Sequence, residues 1–324
     1  MDVIIHHQAY QRIQQRLDKL DLPVGVLLLD DEGNVTRDGD PIDLDEVAPE
    51  GMWFSMDMAS AGILDRCFDM VVRSPTIKWM QTFNAGLDNP RYREVEAKGI
   101  RVTNSSAQAV AISEYVLAHV LSLYHPIDAQ RLAQADKTWR NTPFGELSRS
   151  TWLIIGFGHI GQEVARRAKA FDARILGVRR RDLPTPLADR TGTLTDLPDL
   201  LPEADIVVLA CPHTEETENL ADAAFFSALK KGAILINIAR GGLIDDAALL
   251  AALDRDDLRA AILDVFRTEP LPEDSPYWEH PGVHVSAHTS YAGDGTIPRG
   301  DALFLSNLER YVGGQPLLNE VEQV

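Results

Sequence analysis

The segment "TWLIIGFGHIGQEVARRAKAF", Thr151–Phe171, decides the fold. An apolar run enters a G-x-G-x-x-G pattern formed by Gly156, Gly158 and Gly161, and an amphipathic helical pattern follows. The first glycine permits a tight turn, the second lets a pyrophosphate approach the backbone, and the third lets the helix pack closely on the strand. We therefore predict that this helix N-terminus binds the pyrophosphate of a dinucleotide, with a glycine-rich turn that binds no ligand as the alternative.

Short apolar runs after this segment extend the pattern into a sheet. They are "ARILGVRR", "ADIVVLACP", "GAILINIAR", "AAILDVF" and "VHVSAH", and helix-like segments such as "DDAALLAALDRD" separate several of them. Near-continuous apolar strands that alternate with helices are typical of a parallel sheet covered on both faces. This part of the chain therefore predicts a doubly wound α/β fold.

The N-terminal part repeats the same pattern less clearly. The segments "VGVLLLDDEGN", "GMWFSMDMA", "IKWMQTFNAG" and "IRVTN" are candidate strands, and residues 107–139 have one long helical pattern. Because 324 residues exceed what one core usually serves, we predict two Rossmann-like or flavodoxin-like domains with parallel sheets, and a cofactor and substrate in the cleft between them. Residues 1–101 and 292–324 are the predicted substrate-binding domain, and residues 102–291 are the predicted dinucleotide-binding domain.

The composition excludes several classes of partner. The formal net charge is −18, whereas generic nucleic-acid binding needs a basic surface, so we expect no nucleic-acid partner. No apolar run approaches the roughly 18 residues of a membrane span, and we expect no membrane contact. The two cysteines, Cys67 and Cys211, are too few for a disulfide framework and are typical of a reducing compartment. We therefore expect a cytoplasmic protein.

The strand-like segment "RILGVRRRD", Arg174–Asp182, ends in three arginines. Dinucleotide folds that use NAD usually carry an acidic residue about 20 residues into the motif, where it binds the ribose 2′-hydroxyl. Here Arg179, Arg180 and Arg181 occupy that region. Guanidinium groups bind phosphate oxygens, whereas a carboxylate would repel a 2′-phosphate. We therefore predict that NADP(H) is preferred, with a solvated basic turn as the alternative. Arg179 is nearest the usual acidic position, and Arg180 comes next.

Three polar residues follow candidate strands of the same sheet. Arg240 follows "LINIA", Glu269 follows "LDVFRT", and His288 follows "VHVSA". Ligands of open α/β sheets bind outside the carboxyl ends of the strands, so we expect these residues to converge. A histidine held and charged by a carboxylate can protonate the oxygen of a ketone, and an arginine can bind a substrate carboxylate. The set predicts ketone reduction, although each residue taken singly is more often a cap or a surface residue.

These segments resemble the D-isomer-specific 2-hydroxyacid dehydrogenases, in particular their glyoxylate/hydroxypyruvate reductase-like branch. The resemblance runs from residue 77 to residue 288, through "TFNAGLDN", "GIRVTNSSAQAVAISEYVLA", "GFGHIGQEVARRAKAF", "NIARGGLIDDAALLAAL" and "LDVFRTEPLPEDSPYWEHPGVHVSAH". It implies that Arg240, Glu269 and His288 are the catalytic set and that Arg240 also binds the substrate. It further implies that the backbone N–H groups of Ala85 and Gly86 hold the substrate carboxylate, as a nest of amides can.

The resemblance also places residues beside the cofactor. Pro212 and Thr217 of "CPHTEET" match the loop on its adenosine side, and Asp264 matches an acidic residue near the nicotinamide carboxamide. The segment "KTWRNTPFGEL" resembles an arm that joins two nucleotide-binding domains, which implies a homodimer. The predicted cofactor-binding residues are Gly156, Gly158, His159, Ile160, Gly161, Arg179, Arg180, Arg181, Pro212, Thr217, Ala239, Asp264 and His288.

Residues and resemblance together predict the NADPH-dependent reduction of small 2-oxo acids, such as glyoxylate or hydroxypyruvate, to D-2-hydroxy acids, with His288 as acid/base. We expect no metal ion. One alternative is an NAD-linked D-lactate or phosphoglycerate-type dehydrogenase, which would use NAD(H). Another is a non-catalytic dinucleotide-sensing corepressor, because the C-terminal-binding proteins share the fold and the catalytic set. The candidate pocket-lining side chains are Trp53, Met56, Arg73, Phe83 and Tyr291.

Overall fold

The computed structural model describes residues 1–44 and 47–321. The chain divides into two compact units, of which the first contains Met1–Gln108 and the residues from Asp294 onward, and the second contains Ala109–Gly293. The functional domains predicted as 1–101 with 292–324, and 102–291, stay a prediction, and residues 322–324 of that range lie outside the described residues.

The first unit contains seven strands and five helices within the described residues. Its elements before the second unit are β1 (Asp2–His6), α1 (His7–Leu20), β2 (Gly25–Leu29), β3 (Val35–Arg37), β4 (Asp40–Pro41), β5 (Pro49–Trp53), α2 (Met56–Ser60), α3 (Leu64–Arg73), β6 (Trp79–Gln81), α4 (Arg91–Ala97) and β7 (Arg101–Thr103). Its last helix, α11 (Thr296–Val312), follows the second unit in the chain.

The second unit contains another seven strands. Its elements are α5 (Ala109–Tyr124), α6 (Ile127–Ala135), β8 (Thr151–Ile155), α7 (His159–Lys169), β9 (Arg174–Val178), β10 (Arg190–Gly192), α8 (Leu197–Leu200), β11 (Ile206–Leu209), α9 (Ala223–Ala228), β12 (Ala233–Asn237), α10 (Asp246–Asp254), β13 (Leu258–Leu263) and β14 (Val283–Val285). None of the described helices of either unit has the length and apolar character needed to span a membrane.

The strand order characterises each sheet. In the first unit the order is β4-β3-β2-β1-β5-β6-β7, and its five parallel strands follow the flavodoxin-like order. In the second unit the order is β10-β9-β8-β11-β12-β13-β14, with every neighbouring pair parallel, as in a Rossmann-type sheet. The predicted α/β fold with two parallel sheets is confirmed, apart from the antiparallel edge strands β3 and β4.

Alternating side chains explain why the strands of the second sheet read as continuous apolar runs. Leu153 and Ile155 of β8 pack into a buried cluster on one face, and Trp152 and Ile154 pack into a different cluster on the other. Because both faces are covered by helices, neither set of alternating positions faces water. The polar residues that follow these strands are therefore held at the carboxyl ends of the strands by a rigid core.

Three local features depart from the patterns read in the sequence. The apolar run at residues 3–5 forms β1, a central strand that the predicted set lacks. Asp38 and Gly39, with φ of 54° and 93°, form the turn between β3 and β4, and Asp-Gly is typical of such hairpin turns. The single long helix expected over 107–139 is instead α5 and α6, because Pro126 lacks the N–H that a continuous helix needs.

The last helix completes the core of the first unit. Phe304 of α11 is fully buried, and its ring stacks on that of Trp53 with 4.1 Å between centroids. It also lies parallel to Trp79, at 6.0 Å between centroids. Large aromatic side chains contribute much of the apolar area that a core buries. The first unit therefore depends on residues from both ends of the chain.

Candidate active site

The glycine loop joins β8 to α7 where the strand order of the second sheet reverses, between β8 and β11. Gly156 has φ of +102°, and a Cβ placed on it would lie 2.3 Å from backbone atoms of Ala210. A Cβ on Gly161 would lie 2.1 Å from the carbonyl oxygen of Gly156, so the helix can pack this close only with glycine there. A Cβ on Gly158 would meet no atom within 4 Å. Packing therefore requires two of the glycines, and the third borders open space.

The N-terminus of α7 is suited to an anion. The helix begins at His159, its first turn contains no acidic residue, and Gly158 at the N-cap offers no side chain that could accept from the free N–H groups. His159 is exposed and Ile160 is half-buried. Unpaired N–H groups and the positive end of the helix dipole favour a phosphate at such a position. The loop therefore fits the pyrophosphate predicted for it.

The arginine segment lies directly beside the glycine loop. The N–H of Gly156 donates to the carbonyl of Val178 at 2.9 Å, and Val178 is the residue that precedes Arg179. The Arg179 side chain is half-buried, and its guanidinium donates to the carbonyl of Leu183. The two arginines that follow are exposed. Three consecutive arginines thus follow the strand that pairs with the glycine loop, and guanidinium groups bind phosphate oxygens through charge-assisted hydrogen bonds.

A buried carboxylate organises the loop that carries His288. Asp264 has no exposed surface, and its Oδ1 accepts from the hydroxyl of Ser286 at 2.6 Å and from the N–H of Thr289 at 2.8 Å. Its Oδ2 accepts from the N–H of Ser290 at 3.0 Å. The N–H of His288 donates to the backbone carbonyl of Asp264 at 2.8 Å. These bonds hold His288 at φ of +51°, a left-handed conformation that costs a non-glycine residue free energy.

Glu269 and His288 form a close pair. The Nδ1 atom of His288 lies 2.8 Å from Oε2 of Glu269, and the other carboxylate oxygen accepts from the N–H of Phe266 at 2.9 Å. The side chain of His288 is 44% exposed and that of Glu269 is 35% exposed. A carboxylate in this position fixes the proton on Nδ1, so Nε2 is the nitrogen that exchanges a proton with a bound molecule. The predicted pairing is present in the structure, on a surface that a ligand can reach.

Arg240 follows β12 at the same sheet edge. The side-chain amide of Asn237 donates to the carbonyl of Arg240 at 2.8 Å, and the N–H of Asp264 donates to the carbonyl of Asn237 at 3.1 Å. Asn237 thereby connects the loop of Arg240 to the residue that organises the His288 loop. Arg240 is half-buried, and it is preceded by Ala239, which is 8% exposed. The loops that follow β12, β13 and β14 are therefore linked by hydrogen bonds at one end of the sheet, and the role of Arg240 stays a prediction.

The model of the D-isomer specific 2-hydroxyacid dehydrogenase NAD binding domain matches residues 117–290, which include the glycine loop, the arginines and the Glu269–His288 pair. The chain belongs to the D-isomer specific 2-hydroxyacid dehydrogenase family. The family predicted from the sequence is therefore confirmed, and its members are NAD(P)-dependent enzymes.

Individual relatives have different names. The chain is 31% identical over 268 residues to a putative 2-hydroxyacid dehydrogenase of Haemophilus influenzae, covering 79% of this chain and 83% of that protein. It is 35% identical over 223 residues to a D-3-phosphoglycerate dehydrogenase of Mycobacterium bovis, covering 68% of this chain but only 42% of that protein. A crystal structure from Xanthobacter autotrophicus Py2, in complex with NADPH and MES, is 25% identical with a TM-score of 0.77, covering 99% of this chain and 98% of the other.

Pro212 and Thr217, which are predicted to lie on the adenosine side of the cofactor, are in the loop after β11. Pro212 is exposed, whereas Thr217 is 6% exposed and its hydroxyl is used within the loop. That hydroxyl donates to the carbonyl of Pro212 at 2.8 Å and accepts from the N–H of Thr214 at 2.8 Å. Thr217 therefore orders the loop, and its contact with a cofactor stays a prediction. Cys211 is buried, and burial raises the pKa of its thiol to about 11, which suits a packed residue.

The loop predicted to bind the substrate carboxylate lies in the first unit of the dehydrogenase chain. Ala85 and Gly86 are both half-buried, and the carbonyl of Ala85 accepts from the side-chain amide of Asn104 at 2.8 Å. Within residues 1–44 and 47–321, neither Ala85 nor Gly86 donates its N–H to a backbone acceptor. Two donors are thus available on a loop that Asn104 holds in place, and the role of this pair stays a prediction.

A small cavity in the first unit contains several of the candidate pocket residues. Trp53, Met56 and Phe83 line it, whereas the side chain of Arg73 is 83% exposed on α3. Tyr291 lies in the second unit, with its ring centroid 6.2 Å from that of His288. The candidates therefore divide into three residues that line the cavity, one exposed arginine and one tyrosine near His288, and the sequence alone does not distinguish these environments.

Sequence reasoning missed Arg12, which also lines this cavity. Its guanidinium donates to both oxygens of Asp57, at 2.8 and 2.7 Å, and to Asp301 at 3.2 Å. The hydrogen bond with Asp57 raises the pKa of Arg12, which therefore stays charged. Sequence reasoning also missed Tyr115. Its hydroxyl lies 2.7 Å from that of Ser286 and extends the hydrogen-bond network of Asp264. No local signal marks either residue, because their partners are remote in sequence.

Proposed function

We propose that this protein reduces small 2-oxo acids to D-2-hydroxy acids with NADPH. The observation that carries the proposal is the 2.8 Å contact between Glu269 and His288, on the same sheet edge as Arg240 and the glycine loop. When bound there, the nicotinamide supplies the hydride that reduces the C2 carbonyl. The residues of the chain then have to bind the acid, orient it and deliver one proton to its oxygen.

The proposed roles follow from the chemistry of each side chain. Arg240 binds the carboxylate and the C2 oxygen of the 2-oxo acid, because its planar donor group matches both. Glu269 holds the proton on Nδ1 of His288, and Nε2 of His288 is the atom that donates a proton to the C2 oxygen. The N–H groups of Ala85 and Gly86 are our proposed donors to the substrate carboxylate.

The cofactor preference rests on the three arginines after β9. In place of the acidic residue that binds a ribose 2′-hydroxyl, Arg179 follows the strand, and Arg180 and Arg181 are exposed beside it. The NADPH complex from Xanthobacter autotrophicus, which is 25% identical, supports the same preference. The open space at Gly158 and the uncapped N-terminus of α7 would hold the pyrophosphate.

A second candidate is an NAD-linked phosphoglycerate-type dehydrogenase. The 35% identity to the D-3-phosphoglycerate dehydrogenase of Mycobacterium bovis favours it. The two candidates differ in cofactor and in substrate charge, so one panel separates them. Glyoxylate, hydroxypyruvate, pyruvate and 3-phosphohydroxypyruvate would each be assayed with NADPH and with NADH. We expect the highest kcat/KM with NADPH and an unphosphorylated acid, and a preference for NADH with the phosphorylated acid would favour the second candidate.

Replacing His288 tests the proposed acid/base. The His288→Ala variant should lose turnover while it retains NADPH affinity, because the side chain acts on the substrate oxygen. Tryptophan fluorescence quenching by NADPH would measure the affinity, and oxidation followed at 340 nm would measure turnover. The His280→Ala variant is a suitable control, since His280 forms its contact with Asp254 and not with the proposed machinery. Normal turnover in His288→Ala would contradict the assignment.

The arginine assignment has its own test. In Arg179→Ala/Arg180→Ala, the loss of charge-assisted hydrogen bonds of about 1.5–3 kcal/mol each should raise the KM for NADPH by at least about 100-fold. The KM for NADH should change little, because NADH has no 2′-phosphate. Arg174→Ala is the matched control, because Arg174 begins the same strand and pairs with Glu203. Equal changes for both cofactors would refute a 2′-phosphate contact.

We also propose that the protein forms a homodimer through its second unit. The support is a set of exposed apolar side chains in and after α6. Trp139 is fully exposed, and Leu132 and Phe144 are 67% and 52% exposed. Trp139 and Phe144 lie in the segment that resembles the family's arm between two nucleotide-binding domains, so a second copy of the chain is the proposed cover.

A further inference from the structure

Two neighbouring strand ends of the first unit bring together two imidazoles and a carboxylate. His6 ends β1, His7 begins α1, and Asp31 lies in the turn after β2, the strand that pairs with β1. The Nε2 atom of His6 lies 3.0 Å from Oδ1 of Asp31, and Nε2 of His7 lies 3.3 Å from the same oxygen. The three candidate ligand atoms all lie within 4.8 Å of one another.

His6 is an unusual member of this cluster because it is buried without a hydrogen-bond partner. Its side chain is 0% exposed, and neither Nδ1 nor Nε2 makes a hydrogen bond within the described residues. Although Nε2 is close to Asp31, the direction of approach is wrong for a hydrogen bond. A buried polar atom left unpaired is costly, so such atoms usually have a partner. A cation beside Nε2 would supply one.

The surroundings of the cluster favour a cation. Both ring nitrogens of the buried His6 lack a hydrogen-bond partner within the described residues, so Nε2 is not already engaged as a donor or acceptor. The side chains of His7 and Asp31 are 35% and 51% exposed, which leaves an approach from solvent. Asp57, which pairs with Arg12, is near enough to interact with His6 electrostatically.

The backbone holds the three residues in place. β1 and β2 are paired in parallel, with His6 opposite Leu29, so the strand ends are fixed relative to each other. The turn that carries Asp31 is tied by Asp30, whose side chain accepts from the N–H groups of Glu32 and Asn34 at 3.0 and 2.7 Å. A site whose ligands are positioned by the fold loses little conformational entropy when an ion binds.

We propose that His6, His7 and Asp31 form a binding site for a divalent transition-metal ion of the Zn²⁺ class. Imidazole and carboxylate ligands suit Zn²⁺, and ligand atoms about 2.1 Å from a tetrahedral ion lie about 3.4 Å apart, close to the 3.0 and 3.3 Å observed. Three protein ligands leave a fourth position for water on the exposed side. None of the three residues is among the proposed catalytic residues, and the site departs from the expectation that the chain binds no metal.

Zinc titration of the untagged 324-residue chain, stripped with a chelator, tests the proposal. Isothermal titration calorimetry should give one Zn²⁺ per chain for the wild type. His7→Ala and Asp31→Asn should each weaken Zn²⁺ binding at least tenfold, and both remove partly exposed side chains that the core does not need. His280→Ala removes a different imidazole near a carboxylate, Asp254, and should bind as the wild type does.

Two further measurements make the result specific. Zn²⁺ should raise the Tm of the wild type and of His280→Ala, but not that of His7→Ala at the same concentration. Co²⁺ should give the visible absorption of a low-coordinate site in the wild type, and Asp31→Asn should lose it. If the wild type binds no stoichiometric Zn²⁺, or if His7→Ala and Asp31→Asn bind it as tightly as the wild type, the site does not exist.

Discussion

Replacing Asp264 with asparagine should loosen the loop that carries His288. An asparagine can keep one oxygen for Ser286 and Thr289, but it places an NH₂ group where Oδ2 accepts from the N–H of Ser290. That N–H also lies 3.3 Å from Oδ1, so it keeps a weak partner. Losing one hydrogen bond to a buried charged group costs about 1.5–3 kcal/mol, and this is the expected decrease in the free energy of unfolding.

The substitution should also slow catalysis. His288 sits at φ of +51°, which an unconstrained histidine avoids by roughly 1–2 kcal/mol, so a loosened loop would relax it toward an ordinary conformation. A displacement of about 1 Å in a reacting group can cost on the order of 100-fold in rate. We therefore expect kcat to fall by about 100-fold while NADPH affinity changes much less.

Urea unfolding followed by circular dichroism would measure the stability of the variant, and NADPH oxidation with glyoxylate would measure kcat. Ser286→Ala serves as the graded control, because it removes one hydroxyl from Asp264 but leaves both backbone donors in place. It should show a smaller change in both quantities. If Asp264→Asn unfolds at the wild-type urea concentration and turns over at the wild-type rate, the carboxylate does not hold the loop.

Three other predictions follow from individual residues. Gly156→Ala should lower the Tm by several degrees, because its methyl group would overlap backbone atoms 2.3 Å away. Gly158→Ala should keep the wild-type Tm and weaken NADPH binding, because a methyl group there meets no atom within 4 Å. Calorimetry would measure the Tm and fluorescence titration the NADPH affinity, and a larger loss of Tm in Gly158→Ala than in Gly156→Ala would contradict the prediction. Cys67 and Cys211 should react with a thiol reagent at pH 8 only after denaturation, since burial raises their thiol pKa to about 12 and about 11; one fast-reacting thiol in the native protein would contradict this. Trp139→Ala should shift the protein toward monomer in sedimentation velocity if the exposed indole is covered by a second copy, and an unchanged dimer would exclude that contact.

The strand-end residues could be predicted because the signal is local. Arg240, Glu269 and His288 each follow an apolar run, and parallel strands bring such positions to one edge regardless of the loops between them. The two glycines that packing requires are visible for a similar reason, since the turn geometry is set within a few residues. The local sequence pattern is therefore sufficient to predict the glycine loop and the residues at the strand ends.

The residues that hold the site in place through long-range hydrogen bonds could not be predicted from the sequence. Tyr115 reaches Ser286 across 171 residues of chain, and Arg12 reaches Asp301 across 289. Such partners are fixed only when the sheets are assembled, and nothing in their immediate sequence distinguishes them from surface residues. The Asp38–Gly39 turn is different, because Asp-Gly is a local hairpin signal that can be recognised from the dipeptide itself.

The way the last helix completes the first unit has a consequence for synthesis. Trp53 and Trp79 are made early, yet Phe304, which stacks on both, leaves the ribosome only after the whole of Ala109–Gly293. At about 5–20 residues per second, that delay is on the order of ten to forty seconds. For that period the nascent chain carries an uncovered aromatic surface. The second unit, in contrast, has all of its own strands as soon as Gly293 has been made. Folding at the ribosome should therefore begin in the middle of the chain, and chaperones that shield apolar segments would act chiefly on its first hundred residues.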